Sequence, residues 1–140
     1  MTKILFLDVD GVANSRDTFT KDPNDYFPLD KYMCFLIGKI KLDTGCEVVL
    51  SSSWRLHPDS LEVVEKKIVP IFDITPDLDE GIRGDEIQEW LDEHPEVEKY
   101  AILDDDGDML DEQMDNFFET DFETGLTKEI ADAVTKHLNS

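Results

Sequence analysis

The chain has 140 residues, the length of one ordinary α/β domain. Hydrophobic residues make up 40% of it, which excludes wholesale disorder, and no apolar run approaches the roughly 20 residues that span a bilayer. The 34 acidic and 13 basic residues give a net charge of −21 at pH 7, which favours a well-solvated surface or, as an alternative, an acidic surface that binds a basic partner.

The first residues and the cysteines predict a cytoplasmic protein. Residues 1–7 lack the charged start and long apolar core of a secretory signal. Cys34 falls on a predicted helix and Cys46 at a predicted strand start, and neither has a neighbour at metal-ligand spacing. We therefore expect two reduced thiols and no membrane association. No pattern indicates an oligomeric state.

Five short apolar runs, each followed by polar or turn residues, predict buried strands at 3–7, 47–50, 69–74, 100–103 and 116–120. Helical patterns between them predict helices at about 29–42, 60–67, 86–93 and 128–138. Asp59 with Glu62, and Asp85 with Gln88, have the spacing of helix-start pairs. Strands that alternate with helices pair in parallel through right-handed crossovers. The pattern predicts one domain over residues 1–140 with a doubly wound, three-layer α/β fold.

Two stretches, residues 13–28 and 76–82, fit no regular element. We expect both at the carboxyl edge of the sheet, where ligands bind in open α/β folds. The first is long enough to form a flap-like loop over about residues 13–28.

Acidic residues gather behind two of the predicted strands. Asp8 and Asp10 follow the first strand two residues apart, where strand alternation would turn both side chains the same way. The fourth strand runs into three aspartates at 104–106 and then into Asp108. Carboxylates this close repel one another unless a hard cation such as Mg²⁺ takes oxygen ligands from them. A calcium-binding EF-hand loop is excluded, because Met109 stands where that loop needs glycine and no helix precedes it.

With a third strand ending in Ser51, the chain resembles the haloacid dehalogenase superfamily of phosphatases. The first motif of that family, Asp-x-Asp-x-Thr/Val, is matched by Asp8, Asp10 and Val12. The second, an apolar strand that ends in Ser or Thr, is matched by Val-Val-Leu-Ser at residues 48–51.

The remaining two motifs of the superfamily have candidates as well. Arg83 is the candidate for the third, a Lys or Arg ahead of the last acidic strand. The fourth, an acidic pair after an apolar strand, is matched by Asp104 with either Asp105 or Asp108. Many members also carry a separate cap domain, for which this chain has no room. The resemblance therefore implies an open site that admits large substrates or chain ends.

Four segments narrow the resemblance: 50–55 (Leu-Ser-Ser-Ser-Trp-Arg), 83–91, 102–105 and 125–127. They resemble the phosphatase-like domains attached to RNA-repair proteins, and the phosphatase half of polynucleotide kinase/phosphatase is similar in outline. Both similarities imply a substrate phosphate on a nucleotide or on a nucleic-acid end.

The resemblance also implies roles for the acidic residues. Asp8 would attack phosphorus and form an aspartyl-phosphate, while Asp10 would protonate the leaving oxygen and then activate the hydrolytic water. Mg²⁺ would be held by the Asp8 carboxylate, the Asp10 backbone carbonyl and Asp104, with Asp105 or Asp108 as a further ligand.

The same comparison implies how the phosphate would be bound. Ser51 would donate a hydrogen bond to a phosphoryl oxygen, and Arg83 would offset charge that builds up in the transition state. Trp54, beside these groups in the sequence, either stacks on a base or, as we expect, packs under the loop.

The arginines form a separate signal. The chain has only three, Arg16, Arg55 and Arg83, and each follows a predicted strand end at the expected site. In so acidic a protein this distribution predicts bidentate phosphate contacts, against the alternative that each pairs with a neighbouring carboxylate. Ser52 and Gly11, which lie within the motifs, are further candidate substrate contacts.

Two other functions compete with a phosphatase. A non-catalytic acidic protein on the same fold, a nucleic-acid mimic or partner-binding module, is disfavoured by the presence of both Asp8 and Asp10. A response-regulator receiver would place its phosphoacceptor on a middle strand, whereas the third run ends in Asp-Ile-Thr at 73–75 and no lysine ends the fifth. At a charge of −21 we expect no stable binding of long duplexes.

Overall fold

The computed structural model describes residues 2–140. A five-stranded, all-parallel sheet runs through them in the order β3-β2-β1-β4-β5. Its strands are β1 (Thr2–Leu7), β2 (Glu47–Leu50), β3 (Asp73–Ile74), β4 (Val97–Asp104) and β5 (Phe117–Glu119). The predicted parallel α/β sheet is confirmed, and the first strand of the chain lies at its centre.

β1 is central because it is apolar on both faces. Residues 4–7 have no exposed surface, which is typical of a parallel strand covered by helices on both sides. Leu5 lies between Val48 of β2 and Ala101 of β4, in parallel register. The sheet therefore holds the ends of β2, β1 and β4 side by side.

Four helices cover the two faces: α2 (Lys31–Thr44), α3 (Pro58–Lys67), α4 (Arg83–Asp92) and α5 (Lys128–Leu138). A short helix, α1 (Arg16–Lys21), lies in the segment after β1 and buries no residue. On one face, Ile37 of α2, Val64 of α3 and Val134 of α5 share an apolar cluster with Leu5. On the other face, Ile87 and Trp90 of α4 share a second apolar cluster with Phe6. This cluster consists of Ile4, Phe6, Val49, Ile87, Trp90, Ile102 and Met109. The three predicted layers are confirmed, with no separate cap domain among the described residues.

Helix starts differ from the prediction by a few residues. α3 begins at Pro58, a residue favoured in the first helical turn, so Asp59 lies inside the helix. In α4, Asp85 also lies inside, where its carboxylate accepts the backbone N–H of Ile82 at 3.0 Å. The predicted start pairs were therefore wrong, although the helices themselves are present.

β3 is much shorter than the predicted strand over 69–74. Val69 is buried in the core, and its N–H donates to the carbonyl of Val64 at 3.2 Å, at the carboxyl end of α3. Pro70 has no N–H to donate to a neighbouring strand. Only Asp73 and Ile74 remain paired, as an edge strand beside β2.

The predicted flap at 13–28 contains the short helix α1, which the sequence pattern did not indicate. Phe19 in this helix packs on Phe122, with ring centroids 5.5 Å apart. The loop at 76–82 has no regular element, as predicted. Between residues 2 and 140, no helix is long and apolar enough to cross a membrane.

The two cysteines are unpaired thiols. Cys34 lies on α2 and Cys46 directly before β2, as predicted. Burial raises the pKa of the Cys34 thiol to about 11, and burial also raises the pKa of Cys46. Neither forms a reactive thiolate readily, which agrees with structural roles.

Candidate active site

The carboxyl ends of three neighbouring strands bring the first, second and fourth motifs together. Asp8 directly follows β1, Ser51 directly follows β2, and Asp104 is the last residue of β4. The strand ladder continues one residue into the site: the N–H of Asp8 donates to Leu103 O, and the N–H of Ser51 donates to Leu7 O, both at 3.0 Å. The backbone therefore fixes these side chains relative to one another.

Three carboxylates converge at this edge. One oxygen from each of Asp8, Asp104 and Asp105 lies within 4.8 Å of the other two. Hard oxygen donors at this separation suit Mg²⁺. Asp105 and Asp108 were the two alternatives for the further metal ligand. Asp105 lies beside Asp8 and Asp104, whereas Asp108 is not in this cluster.

Gly11 makes the approach of Asp105 possible. It has a φ of +84°, and a side chain there would overlap the Asp105 carboxylate. Its N–H donates to Asn14 Oδ1 at 2.9 Å, and its carbonyl accepts the Thr120 hydroxyl at 2.7 Å. Gly11 is buried with both polar groups occupied, so the structure corrects its predicted role as a substrate contact.

Arg83, the first residue of α4, reaches into the acidic cluster. Its Nη1 donates to Asp8 Oδ1 and to Asp104 Oδ2, each at 3.0 Å. Asp108 holds the start of that helix, because its Oδ2 accepts the N–H of Arg83 at 3.3 Å and its carbonyl accepts that of Gly84 at 3.0 Å. The third-motif candidate is thereby placed beside the first-motif aspartate.

The electrostatics of the cluster favour a cation. Burial raises the pKa of Asp8 well above its ordinary value, and the charge of Asp104 raises it further, while Arg83 opposes both. Burial also raises the pKa of Asp104 against the effect of Arg83. Burial lowers the pKa of Arg83, but the two carboxylates outweigh it and the net shift is upward. Arg83 offsets one of the three carboxylate charges, and a divalent cation would offset the other two.

Three buried polar atoms around the cluster have no partner: Ser51 Oγ, Arg83 Nε and Asp108 Oδ1. Buried polar groups are nearly always hydrogen-bonded, so each one requires an explanation. Ser51 and Arg83 are donors on two sides of Asp8, and a phosphoryl group between them would satisfy both. The residues present therefore fit a bound phosphate as well as a metal ion.

Asp10 is held from two sides. Asn14, which is fully buried, donates from Nδ2 to Asp10 Oδ1 at 3.0 Å and to the carbonyl of Pro28 at 2.9 Å. Trp54 donates from its indole N–H to Asp10 Oδ2 at 3.2 Å. The Trp54 ring also packs on Phe27 of the flap, at 5.5 Å between centroids. The prediction that Trp54 packs under the loop agrees with this contact, and the hydrogen bond to Asp10 was not foreseen.

Arg55 has a structural environment instead of the predicted substrate contact. Its side chain is 3% exposed, and it donates to the carbonyls of Thr75, Pro76, Ser51 and Ser52. Its remaining nitrogen contact is an ion pair with Glu86 at 3.1 Å. Every nitrogen of the guanidinium already has a protein partner, so this expectation is corrected.

Three further residues near the site differ in their burial. Ser52 is buried, and its hydroxyl accepts the N–H of Trp54 at 3.1 Å, so its substrate contact stays a prediction. Arg16 is exposed at the start of α1 and pairs with Glu123 at 2.7 Å. Asp106 is exposed and donates its backbone N–H to Asp104 Oδ1.

Asn14 is the residue of this site that sequence analysis missed. A feature of the sequence could have indicated it. Asn14 is an amide in the run Val-Ala-Asn-Ser at 12–15, whose other residues are apolar or small, at the end of the first motif. A buried amide is stable only with hydrogen-bond partners, and here Asp10, Gly11 and Pro28 provide them.

One comparison with known proteins found a match. The model of a family described as the HAD domain in Swiss Army Knife RNA repair proteins matches residues 4–131. Neither the curated proteins nor the solved structures gave a match. The matched range includes every residue of the acidic cluster and all five strands except the first two residues of β1.

Proposed function

The chain belongs to the family of HAD domains found in Swiss Army Knife RNA repair proteins, and from this membership we propose that it is a Mg²⁺-dependent phosphomonoester hydrolase. Its substrate would be the terminal phosphate of a nucleotide or of a nucleic acid. The observation that carries the proposal is the convergence of Asp8, Asp104 and Asp105 at the carboxyl edge of the sheet, with Arg83 paired to the first two. The unpaired thiols support the further proposal of a cytoplasmic location.

In the first step, a carboxylate oxygen of Asp8 attacks phosphorus, and the bond from phosphorus to the ester oxygen breaks. Asp10 gives its proton to that leaving oxygen, and an aspartyl-phosphate forms on Asp8. The hydrogen bonds from Asn14 and Trp54 to the two oxygens of Asp10 support this role, because they hold the carboxyl group in one orientation.

In the second step, Asp10 takes a proton from water, and the water oxygen attacks phosphorus. The bond from phosphorus to Asp8 breaks, which releases inorganic phosphate and restores both aspartates. Ser51 Oγ and Arg83 donate hydrogen bonds to the phosphoryl oxygens in both steps. Their unpartnered buried atoms support this assignment.

Asp8, Asp104 and Asp105 would hold Mg²⁺, together with the predicted backbone carbonyl of Asp10. When bound, the ion offsets the negative charge of the cluster, so that an anionic substrate can approach, and it polarises the phosphoryl oxygens.

The deciding experiment is a phosphatase screen with and without Mg²⁺. Substrates are mononucleotides, single strands with a 3′- or 5′-terminal phosphate, and sugar phosphates. Mg²⁺-dependent release of phosphate from nucleotides or strand ends is the expected result, and Asp8→Asn is the control, because it keeps the shape of the side chain but removes the nucleophile. Equal release by wild type and Asp8→Asn would exclude the mechanism.

A further inference from the structure

A groove of about 720 Å³ lies outside the acidic cluster, between the flap, α2 and the end of α3. Its floor is mainly apolar, with Leu29, Phe35, Leu42 and Ile68 among the lining residues. Phe35 and Leu42 are 60% and 83% exposed, so these side chains are not covered by the described part of the chain. The volume falls in the range of sites that hold a small organic ligand.

The charge of the groove differs in sign from that of the protein. Lys31, Lys39 and Lys67 line it together with Asp25 and Asp43. Lys39 pairs with Asp43, which leaves Lys31 and Lys67 against Asp25. The chain as a whole has 34 acidic and 13 basic residues. A local excess of positive charge beside an apolar floor suits a ligand that is both anionic and aromatic.

Gly38 keeps the floor of the groove open. It lies in the middle of α2, where glycine is unfavourable relative to alanine. A Cβ at this position would meet only the carbonyl oxygen of Ile68, at an ordinary distance of 3.9 Å. Packing within the protein therefore does not require glycine here, whereas a large side chain would project into the groove.

The groove adjoins the active site at a single aromatic contact. Phe27 lines it and packs against the ring of Trp54, with centroids 5.5 Å apart. Trp54 in turn donates its indole N–H to Asp10 at 3.2 Å. Phe27 and Trp54 therefore form a shared wall, and a chain that leaves the phosphate site across these two rings would reach the groove.

We propose that this groove binds the single-stranded nucleic acid that leads away from the terminal phosphate. Bases stack on Phe27 and Phe35, and the lysines of the rim contact the adjacent backbone phosphates. This inference rests on the proposed function and refines it, because it makes the substrate a strand end and not a free mononucleotide. A duplex end has no unstacked bases to offer.

The principal test is a pair of substitutions at Gly38. Gly38→Leu fills the groove, and Gly38→Ala adds only a methyl group that has room. Binding is measured with an unphosphorylated single strand of about six nucleotides that contains one 2-aminopurine, whose fluorescence reports stacking without turnover. We expect Gly38→Leu to raise the Kd of the strand at least about tenfold, because the bases lose their stacking surface.

Gly38→Ala separates this effect from loss of folding. Alanine favours the helix, so the melting temperature should rise by about 3 °C, and Kd should change by less than about twofold. The melting temperature of Gly38→Leu is also measured, to show that this variant is folded when its Kd is compared with that of Gly38→Ala.

Charge is tested with a matched pair. Lys67→Glu reverses a charge on the rim, whereas Lys99→Glu makes the same change near the amino end of β4, away from the groove. We expect Lys67→Glu to weaken strand binding about fivefold at low salt and Lys99→Glu to change it by less than about twofold. The wild-type affinity should fall as salt rises.

The outcomes separate this inference from the proposed function. Wild-type Kd values for Gly38→Leu, or no strand binding by the wild-type protein, would overturn the groove assignment, even if the enzyme hydrolyses phosphate esters. If Gly38→Leu and Lys67→Glu lose strand binding while Gly38→Ala and Lys99→Glu keep it, the result supports the assignment, even if the screen finds no phosphatase activity.

Discussion

The indole N–H of Trp54 donates to the Oδ2 of Asp10 across 3.2 Å, although the two residues are 44 positions apart in the chain. Trp54 belongs to the turn after β2, and Asp10 to the turn after β1. The hydrogen bond thus joins the turn that follows the second motif to the first motif. The ring of Trp54 also packs against Phe27 of the flap, so the orientation of Asp10 depends on both segments.

Trp54→Phe should affect esters with poor leaving groups most. The variant keeps an aromatic ring on Phe27 but loses the N–H that orients Asp10. Protonation of the leaving oxygen accelerates such reactions by about 10² to 10⁴. A misoriented acid should reduce this acceleration about tenfold. We expect kcat for an alkyl phosphate to fall about tenfold while that for 4-nitrophenyl phosphate changes little. Equal losses for both esters would mean that Trp54 acts only through folding.

Asp8→Asn should lower turnover by several orders of magnitude without lowering stability. The amide removes a charge that burial and Asp104 both penalise, and Arg83 keeps its other partner. Asp10→Asn should also slow turnover, but a phosphoenzyme should accumulate with an activated ester, because Asp8 still attacks. Mass spectrometry of acid-quenched protein checks both variants, and a phosphoenzyme in Asp8→Asn would contradict the assignment of the nucleophile.

Arg55→Ala should lower the free energy of unfolding by about 3 to 5 kcal/mol. The substitution leaves Glu86 without its ion-pair partner and four carbonyl groups without a donor. Arg16→Ala is the matched control, since its pair with Glu123 is exposed and should contribute less than about 1 kcal/mol. Urea unfolding of the two variants decides between structural and substrate-binding roles for these arginines.

The stabilising effect of Mg²⁺ should increase with pH. The pKa values of Asp8 and Asp104 are raised in the folded protein, so without metal the fold loses stability as pH rises from the unfolded value near about 3.9 through the raised values. Mg²⁺ binds the deprotonated carboxylates and should remove this loss.

Melting curves with and without millimolar Mg²⁺, over about pH 5 to 8, check this prediction. Asp104→Asn should abolish most of the difference, while Asp106→Asn, which changes an exposed neighbour, should preserve it. A difference in melting temperature that is independent of pH would exclude metal binding at the raised-pKa carboxylates.

The fold was predictable because its signals are local. Buried strands such as residues 4–7 are continuous apolar runs, and helices between them leave parallel pairing as the solution. The placement of Asp8, Ser51 and Asp104 followed from the same logic, since the carboxyl ends of neighbouring parallel strands meet at one edge.

The partners of individual side chains were not predictable in this way. Arg55 looked like a phosphate contact by sequence, but the carbonyls of Thr75 and Pro76 after β3 and the carboxylate of Glu86 on α4 bind its guanidinium. Folding brings these groups to it from distant parts of the chain. Asn14 was missed because its role, to hold Asp10 by a hydrogen bond, depends on where folding places Asp10 and Pro28. Such contacts arise from tertiary packing, which residue type and spacing do not encode.

The last prediction concerns salt and follows from the net charge of −21. On a duplex of about 20 base pairs, most phosphates lie beyond the active site and face an acidic surface, and that repulsion extends over a Debye length of about 8 Å at physiological ionic strength. Raising salt screens it, so kcat/KM for a terminal phosphate on a duplex should rise.

A single strand of about six nucleotides should respond in the opposite direction, because its contacts with the lysines of the groove release counterions and weaken as salt rises. The ratio of kcat/KM for duplex to that for single strand should therefore increase with salt. The experiment is a potassium chloride series with both substrates, and 4-nitrophenyl phosphate corrects for effects on the chemical steps. If the duplex is instead favoured at low salt and loses that advantage as salt rises, a basic track for duplexes exists, because only attraction weakens under screening.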